Sequence, residues 1–210
     1  MIIAIDGPAG SGKGTLSRKL ADVLGYAHLD TGKLYRAVGL SVIDAGGDPR
    51  NEGSALLAAQ SLDPQALVNK DILGDAAAAA ASKVAAIKSV RVILLAFQRD
   101  FADAPPNGAK GAVLDGRDIG TVVCPGAKIK LFVTASAEVR AERRHKELLD
   151  RGEPSIYARV LQDMEVRDER DQSRSVAPLK PARDAVVVDT SELDAEAVFK
   201  TAMEIIAERS

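Results

Sequence analysis

Residues Gly7-Pro8-Ala9-Gly10-Ser11-Gly12-Lys13-Gly14-Thr15 are the stretch whose types and spacing most clearly suit chemistry. Gly7, Gly12 and Lys13 meet the pattern G-x-x-x-x-G-K, directly after a short apolar run and directly before a helical pattern. Glycines let backbone N–H groups close around phosphate oxygens, and the start of a helix adds partial positive charge. Lys13 would reach the β- and γ-phosphates of a nucleotide. The Ser or Thr that usually follows this lysine to bind Mg²⁺ is here Gly14, with Thr15 one place further on. Mg²⁺ is therefore expected largely through water, which it tolerates.

Phosphoryl transfer needs charge neutralisation and positioning more than covalent chemistry, so arginines should converge on such a loop. Three places qualify. Asp30-Thr31-Gly32-Lys33-Leu34-Tyr35-Arg36 and Asp115-Gly116-Arg117-Asp118 each follow an apolar run, where open α/β sheets bind ligands. The third lies on a helix. With Arg167 at 0°, Arg170 falls at about −60°, Asp171 at about +40° and Arg174 at about −20°. Three guanidiniums on one face repel unless an anion joins them; the bland reading is a solvated face with i,i+4 ion pairs. Arg140, Arg143 and Arg144 form a further cluster. Arg140 and Arg144 either meet adenine or triphosphate, or pair with Glu138, Glu142 or Glu147. Asp115 is either a water-mediated Mg²⁺ partner or an orienting group for Arg117.

These residues need a scaffold. Short apolar runs at Met1–Asp6, Ala27–Asp30, Ala112–Asp115, Ile129–Val133 and Ala185–Asp189 read as strands buried on both faces. Helical patterns lie between them at Lys13–Leu24, Ala76–Ala102, Glu138–Leu149, Ser155–Arg174 and Ala195–Glu208. That alternation predicts a three-layer α/β fold around a five-stranded parallel sheet. The long gap between the second and third strands predicts a mostly helical insertion, placed at residues 37–90, with turn signals that include Asp63-Pro64. Arg151-Gly152-Glu153-Pro154 separates two charged helices and marks a small lid, placed at 146–160. All 210 residues then make one domain.

Composition narrows the classes. Apolar residues are 46% and charged residues 28%, as in a globular chain, and the net charge of −2 argues against sequence-independent nucleic-acid binding. The single cysteine, Cys124, leaves no internal disulfide framework. It reads as a small buried hydrophobe. Only His28 and His145 are present, too few for a two-His catalytic metal site with room to spare, and neither is given a role. No stretch approaches a membrane span. The first apolar run is only Ile2–Ile5 and lacks a basic leader, so a cytoplasmic protein is expected; separately, a monomer is expected. Asn69-Lys70-Asp71-Ile72 fails the guanine-reading pattern at its fourth residue, which disfavours a GTPase. Intact Lys13 and the arginine clusters disfavour a non-catalytic nucleotide module. Phe97 and Phe101, four apart on one helix face, read as core.

The sequence resembles the bacterial cytidylate kinases through most of its length. The likeness is carried by Ile5-Asp6-Gly7-Pro8, Gly12-Lys13-Gly14-Thr15-Leu16, Leu29-Asp30-Thr31-Gly32 with Tyr35-Arg36, Ala81-Ser82-Lys83-Val84-Ala85, Asp115-Gly116-Arg117-Asp118-Ile119-Gly120-Thr121, and Arg167 through Leu179. The phosphate loop is shared by many families. The Asp-Gly-Arg-Asp block combined with Arg-x-x-x-Asp-x-x-Arg is far more specific.

The resemblance implies a P-loop fold with a monophosphate-binding insert and a lid, and transfer of the γ-phosphoryl group of ATP to CMP or dCMP with Mg²⁺. It implies that Gly7 through Thr15, with Arg140 and Arg144, bind ATP. Thr31, Arg36 and Arg117 would hold the CMP phosphate, Ser82, Arg91 and Asp118 would read cytosine, and Arg167 and Asp171 the sugar. Arg174 would approach the phosphate, and Lys13, Arg117, Arg170 and Arg174 would carry catalysis. A carboxylate can accept from the cytosine N4 amino group, where uracil presents an acceptor, so Asp118 gives a physical reason for choosing C over U. The insert departs from the fuller family form, being short and poor in β pattern. The alternative is a P-loop kinase of a small hydroxylated metabolite, shikimate-like, with Asp30 as base.

Overall fold

The computed structural model describes residues 1–63, 66–67 and 69–209. The chain divides into two compact units, one of Met1–His28 with Pro105–Ser210 and one of Leu29–Ala104. Its strands are β1 (Ile2–Asp6), β2 (Ala27–Asp30), β3 (Ala112–Gly116), β4 (Ile129–Thr134) and β5 (Val186–Asp189). The helices among the described residues are α1 (Lys13–Leu24), α2 (Thr31–Asp44), α3 (Glu52–Gln60) and α4 (Asp75–Val84), then α5 (Lys88–Asp103), α6 (Ala137–Asp150), α7 (Tyr157–Ser173) and α8 (Ala195–Arg209). None is long and apolar enough to cross a membrane.

The strands form the expected all-parallel sheet, in the order β2-β3-β1-β4-β5. In the first unit β1 is central: Ile3 faces Val113 of β3 and Ile129 of β4, and Asp6 faces Gly116 and Phe132. That register ends β1 and β3 level, with β4 running two residues further to Thr134, so the loops leaving them emerge at the same end of the sheet. Ile3, Ile5, Val113, Ile129, Leu131, Val133 and Val188 pack under Leu16 and Leu20 of α1 and Val198, Ala202 and Ile206 of α8. Each large apolar side chain removed from water there contributes about 1.5–3 kcal/mol. A separate small core of Ala141, Leu148, Val160 and Met164 joins α6 to α7.

The second unit is helical apart from the end of β2. Its α2 packs on α3 and α4, and α3 on α5. Leu34, Val38, Val42, Ala55, Ala59, Ala77, Ala80, Ala81, Val84, Val90 and Leu94 fill its interior. The alanine-rich segment supplies small side chains that let α2 and α4 approach closely.

Local patterns misled in two places and were silent in a third. The helix expected over Ala76–Ala102 is two helices, parted at Ala85-Ala86-Ile87 without glycine or proline. Ala86 and Ile87 donate to Lys83 and Val84 in a tightened turn, and the Arg91 side chain takes the Ala85 carbonyl at 3.3 Å. A tertiary contact thus replaces the helical bond that periodicity assumes. Ile119–Val123 is a single wide π-helical turn, in a stretch for which the sequence predicted no element. Arg174 lies at the cap of α7, beyond its last helical residue Ser173. Of the turn expected at Asp63-Pro64, Pro64 lies outside the described residues.

Candidate active site

The phosphate loop leaves β1 at Asp6 and enters α1 at Lys13. Gly7 sits where a Cβ would lie 2.0 Å from the Val133 carbonyl oxygen, so only glycine lets the loop pass the end of β4. Gly12 caps α1 with φ 86°, and the first turn of α1 holds no acidic residue. The positive end of that helix therefore stays available to an anion. Lys13 folds back to donate to the Pro8 carbonyl at 3.0 Å, across the mouth of the loop. Ser11 is fully buried, its carbonyl accepts from the Thr190 hydroxyl at 3.1 Å, and its own Oγ lacks a partner among the described residues. Thr15 is exposed in the first turn of α1, beside Gly14.

Arg140 braces the loop from outside. Its Nη1 donates to the Ala9 carbonyl at 3.2 Å, its Nε to the Ala135 carbonyl at 2.9 Å, and its Nη2 lies 2.6 Å from Asp168 of α7. None of the glutamates suggested by helical spacing is the partner seen for Arg140. Arg144 does take one of them, Glu147, at 2.8 Å. Arg143 donates through both Nη atoms to Thr190, at 2.9 and 2.6 Å, fixing the loop after β5 beside Ser11.

At the end of β3 the acceptor-side residues gather. Arg117 Nε donates to Asp171 Oδ2 at 2.9 Å, and Arg174 grips the other oxygen of the same carboxylate. The wheel reading of α7 put Arg167, Arg170, Asp171 and Arg174 on one face; the fold adds Arg117 from another element. Burial is the strongest single influence on Asp171 and pushes its pKa up. Arg117, Arg174 and Arg167 together outweigh it and bring the pKa down to about 2. The Nε of Arg174 is buried without a partner among the described residues. Asp118 is buried at the start of the π-helical turn, and Asp115 is buried with its Oδ2 2.8 Å from His28 Nε2.

In the helical unit Thr31 is the buried first residue of α2, and Arg36 donates to the Ile72 carbonyl at 3.0 Å. Ser82 is buried in α4, and Arg91 of α5 lies over the Tyr35 ring with its guanidinium carbon 5.5 Å from the centroid. Phe97 and Phe101 are half-buried; the buried face of α5 is carried by Val90, Arg91, Leu94 and Gln98. Cys124 is buried, as expected. His145 is half-buried against Ser155 and Tyr157.

Sequence reading passed over four contributors: Asp6, His28, Asp168 and Thr190. Asp6 and Thr190 share one faint signal, a polar residue closing an apolar strand where its loop begins. Asp168 and His28 become legible only once α6 faces α7 and β2 lies beside β3.

Fixed cations at the ends of neighbouring parallel strands, around a glycine loop aimed at a helix N-terminus, suit one kind of partner above others: phosphates brought together. The fold and these groups define a P-loop kinase of the nucleoside monophosphate kind. A family model described as cytidylate kinase matches residues 3–208. The cytidylate kinase of Paramagnetospirillum magneticum is 60% identical over 208 residues, 99% of this chain and 98% of that one. That of Rhodospirillum rubrum is 58% identical over 210 residues, 100% of this chain and 99% of the relative. A crystal structure of an uncharacterized protein from Eubacterium ventriosum covers 99% of this chain and 97% of its own at TM-score 0.53 and 15% identity, a likeness of fold alone. This chain belongs to the cytidylate kinase family.

Proposed function

We propose that this chain carries out a phosphoryl transfer in which positioned charge, rather than a general base, does the chemistry. The enzyme is a (d)CMP kinase: it moves the γ-phosphoryl group of ATP to CMP or dCMP. An oxygen of the CMP phosphate attacks Pγ, the bond from Pγ to the β,γ-bridging oxygen breaks, and ADP leaves. A phosphomonoester loses its second proton with a pKa of about 6, so the nucleophile is already ionised near neutrality. Neither His28 nor His145 is needed for it.

The backbone N–H groups of the loop up to Gly14 (Pro8, which has none, aside) and the Lys13 ammonium hold the β- and γ-phosphates, Arg140 keeps the loop in shape from behind, and Arg144 contacts ATP. Arg117, Thr31 and Arg36 hold the CMP phosphate. Asp118 accepts from the cytosine N4 amino group, and Ser82 and Arg91 also read the base. Arg167 and Asp171 meet the sugar, and Arg170 and Arg174 stabilise charge on the transferring group. The turn between α6 and α7, within residues 146–160, acts as a lid that keeps water from the donor.

Among the described residues no three His, Cys, Asp or Glu side chains cluster as a metal cage. Thr15 and Asp115 instead suit an ion held mainly by water and phosphate oxygens, the habit of Mg²⁺. Mg²⁺ bound there would neutralise charge between the β- and γ-phosphates.

The observation that carries this reading is the Arg117–Asp171–Arg174 cluster, in which a carboxylate with a pKa of about 2 holds two guanidiniums in place. Preset cations of this kind stabilise developing charge without reorganising during the reaction. A coupled ADP-release assay across CMP, dCMP, UMP, AMP and shikimate tests it. Turnover is expected with CMP and dCMP above all others. Turnover with shikimate and none with nucleoside monophosphates would restore the alternative, with Asp30 as base.

A further inference from the structure

Asp6 closes β1, immediately before the phosphate loop, yet its carboxylate points at a different segment. Oδ1 accepts the Ile119 amide at 2.7 Å and Oδ2 the Gly120 amide at 2.8 Å. Those amides open the π-helical turn, where no earlier carbonyl of the same turn can serve them. Further along, Val122 and Val123 donate to the Asp118 carbonyl and Cys124 to that of Ile119. Asp118 is thus gripped from both sides, through its carbonyl by the turn and through the two following amides by Asp6.

A charge is an expensive way to make this contact. Asp6 is 3% exposed, and burial is the main cause that pushes its pKa up to about 6, against the two amides that lower it. Asparagine has the same shape and no charge, but offers only one acceptor oxygen; its NH₂ would face the second amide. The carboxylate is the side chain of this size that satisfies both donors. Gly120 fits the same packing: a Cβ there would lie 3.2 Å from Lys130 Cδ and 3.4 Å from Asp6 Oδ2.

We propose that Asp6 is a positioning residue for base recognition: by holding the Ile119 and Gly120 amides it orients Asp118, and through Asp118 it sets the preference for cytosine over uracil. The inference rests on the reading of Asp118 given above. It separates Asp6 from the adjoining phosphate loop, although the two are neighbours in sequence.

The test is steady-state kinetics of Asp6→Asn, with Asp118→Ala in parallel, using CMP and UMP as acceptors and ATP as donor. Asp6→Asn is expected to lower the ratio of kcat/KM for CMP to that for UMP by about tenfold or more, the energy of roughly one good base contact. The change should appear mainly as a raised KM for CMP, with KM for ATP little altered. Equal losses on CMP and UMP, or a rise confined to KM for ATP, overturn the inference. Should Asp6→Asn not fold, Gly120→Ala decides, because its methyl crowds Lys130 Cδ at 3.2 Å and touches Asp6 Oδ2 at 3.4 Å, at the end of the turn that Asp6 holds. A smaller fall in the same ratio is expected, and an unchanged ratio overturns the proposal. An unchanged ratio in Asp118→Ala removes the base-reading role and this inference with it. An altered ratio there, with none in Asp6→Asn, overturns the inference alone.

Discussion

Arg140 of α6 and Asp168 of α7 form a buried pair, 2.6 Å apart, behind the phosphate loop. The same guanidinium reaches the carbonyls of Ala9 and Ala135, so a single side chain ties the loop to the start of one helix and the middle of another.

Asp168→Asn should therefore destabilise the fold and loosen ATP together. Removing one member of a buried pair costs about 3 kcal/mol, because the other charge stays buried without its partner. Urea unfolding is expected to show that loss, and kinetics a raised KM for ATP. Arg140→Lys should not rescue function, since an ammonium cannot reproduce the planar fork that reaches three acceptors. A variant with normal stability and normal KM would disprove the bracing role.

Lys13→Ala is expected to lower kcat by roughly 10³-fold, the scale of a lost charge contact to the transferring group. The Lys13 ammonium bonds to the loop's own Pro8 carbonyl, so the loss in the thermal unfolding midpoint should be small beside the loss in kcat. Calorimetry and the ADP-release assay check the two halves independently.

Asp118→Ala should reduce kcat/KM for CMP roughly 10- to 100-fold more than for UMP, because only cytosine presents a donor to that carboxylate. Equal effects on the two substrates would remove the base-reading role.

Asp171 makes stability depend on acid in a defined direction. Its folded pKa, about 2, lies below the unfolded value of about 3.9, so the unfolded chain binds the proton more readily. The stabilisation is fully present above about pH 4 and is lost as pH falls through about 2. The difference in urea stability between the native protein and Asp171→Asn should be largest near pH 7 and shrink between about pH 4 and pH 2. A gap constant with pH would show that the arginines do not act through the carboxylate's charge.

The features read correctly from the sequence share a cause: each depends on neighbours a few residues away. The glycine loop from Gly7 to Gly12 needs only its own backbone and the helix it opens. Buried parallel strands show as apolar runs because the residues of one strand share one environment, whereas the helix face read for Arg167, Arg170 and Arg174 holds only as far as α7 runs, Arg174 lying beyond Ser173. Where spacing alone was trusted for a distant partner, the outcome was mixed. Arg144 takes Glu147 within its own helix, while Arg140 passes over the glutamates nearby for Asp168 on the next helix. The break between α4 and α5 was invisible, since no helix-breaking residue marks it and the Arg91 contact to Ala85 depends on how the chain folds back.

Chain chemistry alone settled that this protein handles phosphates, through a glycine cradle, an adjacent lysine and arginines placed after strands. Only the folded molecule decided which carboxylate each cation meets: Arg117 and Arg174 share Asp171, and Asp6 serves a turn 113 residues away. The reason is range. Backbone propensity and helical periodicity act over a few residues, whereas a carboxylate's partner is chosen by which strand ends the sheet register sets side by side.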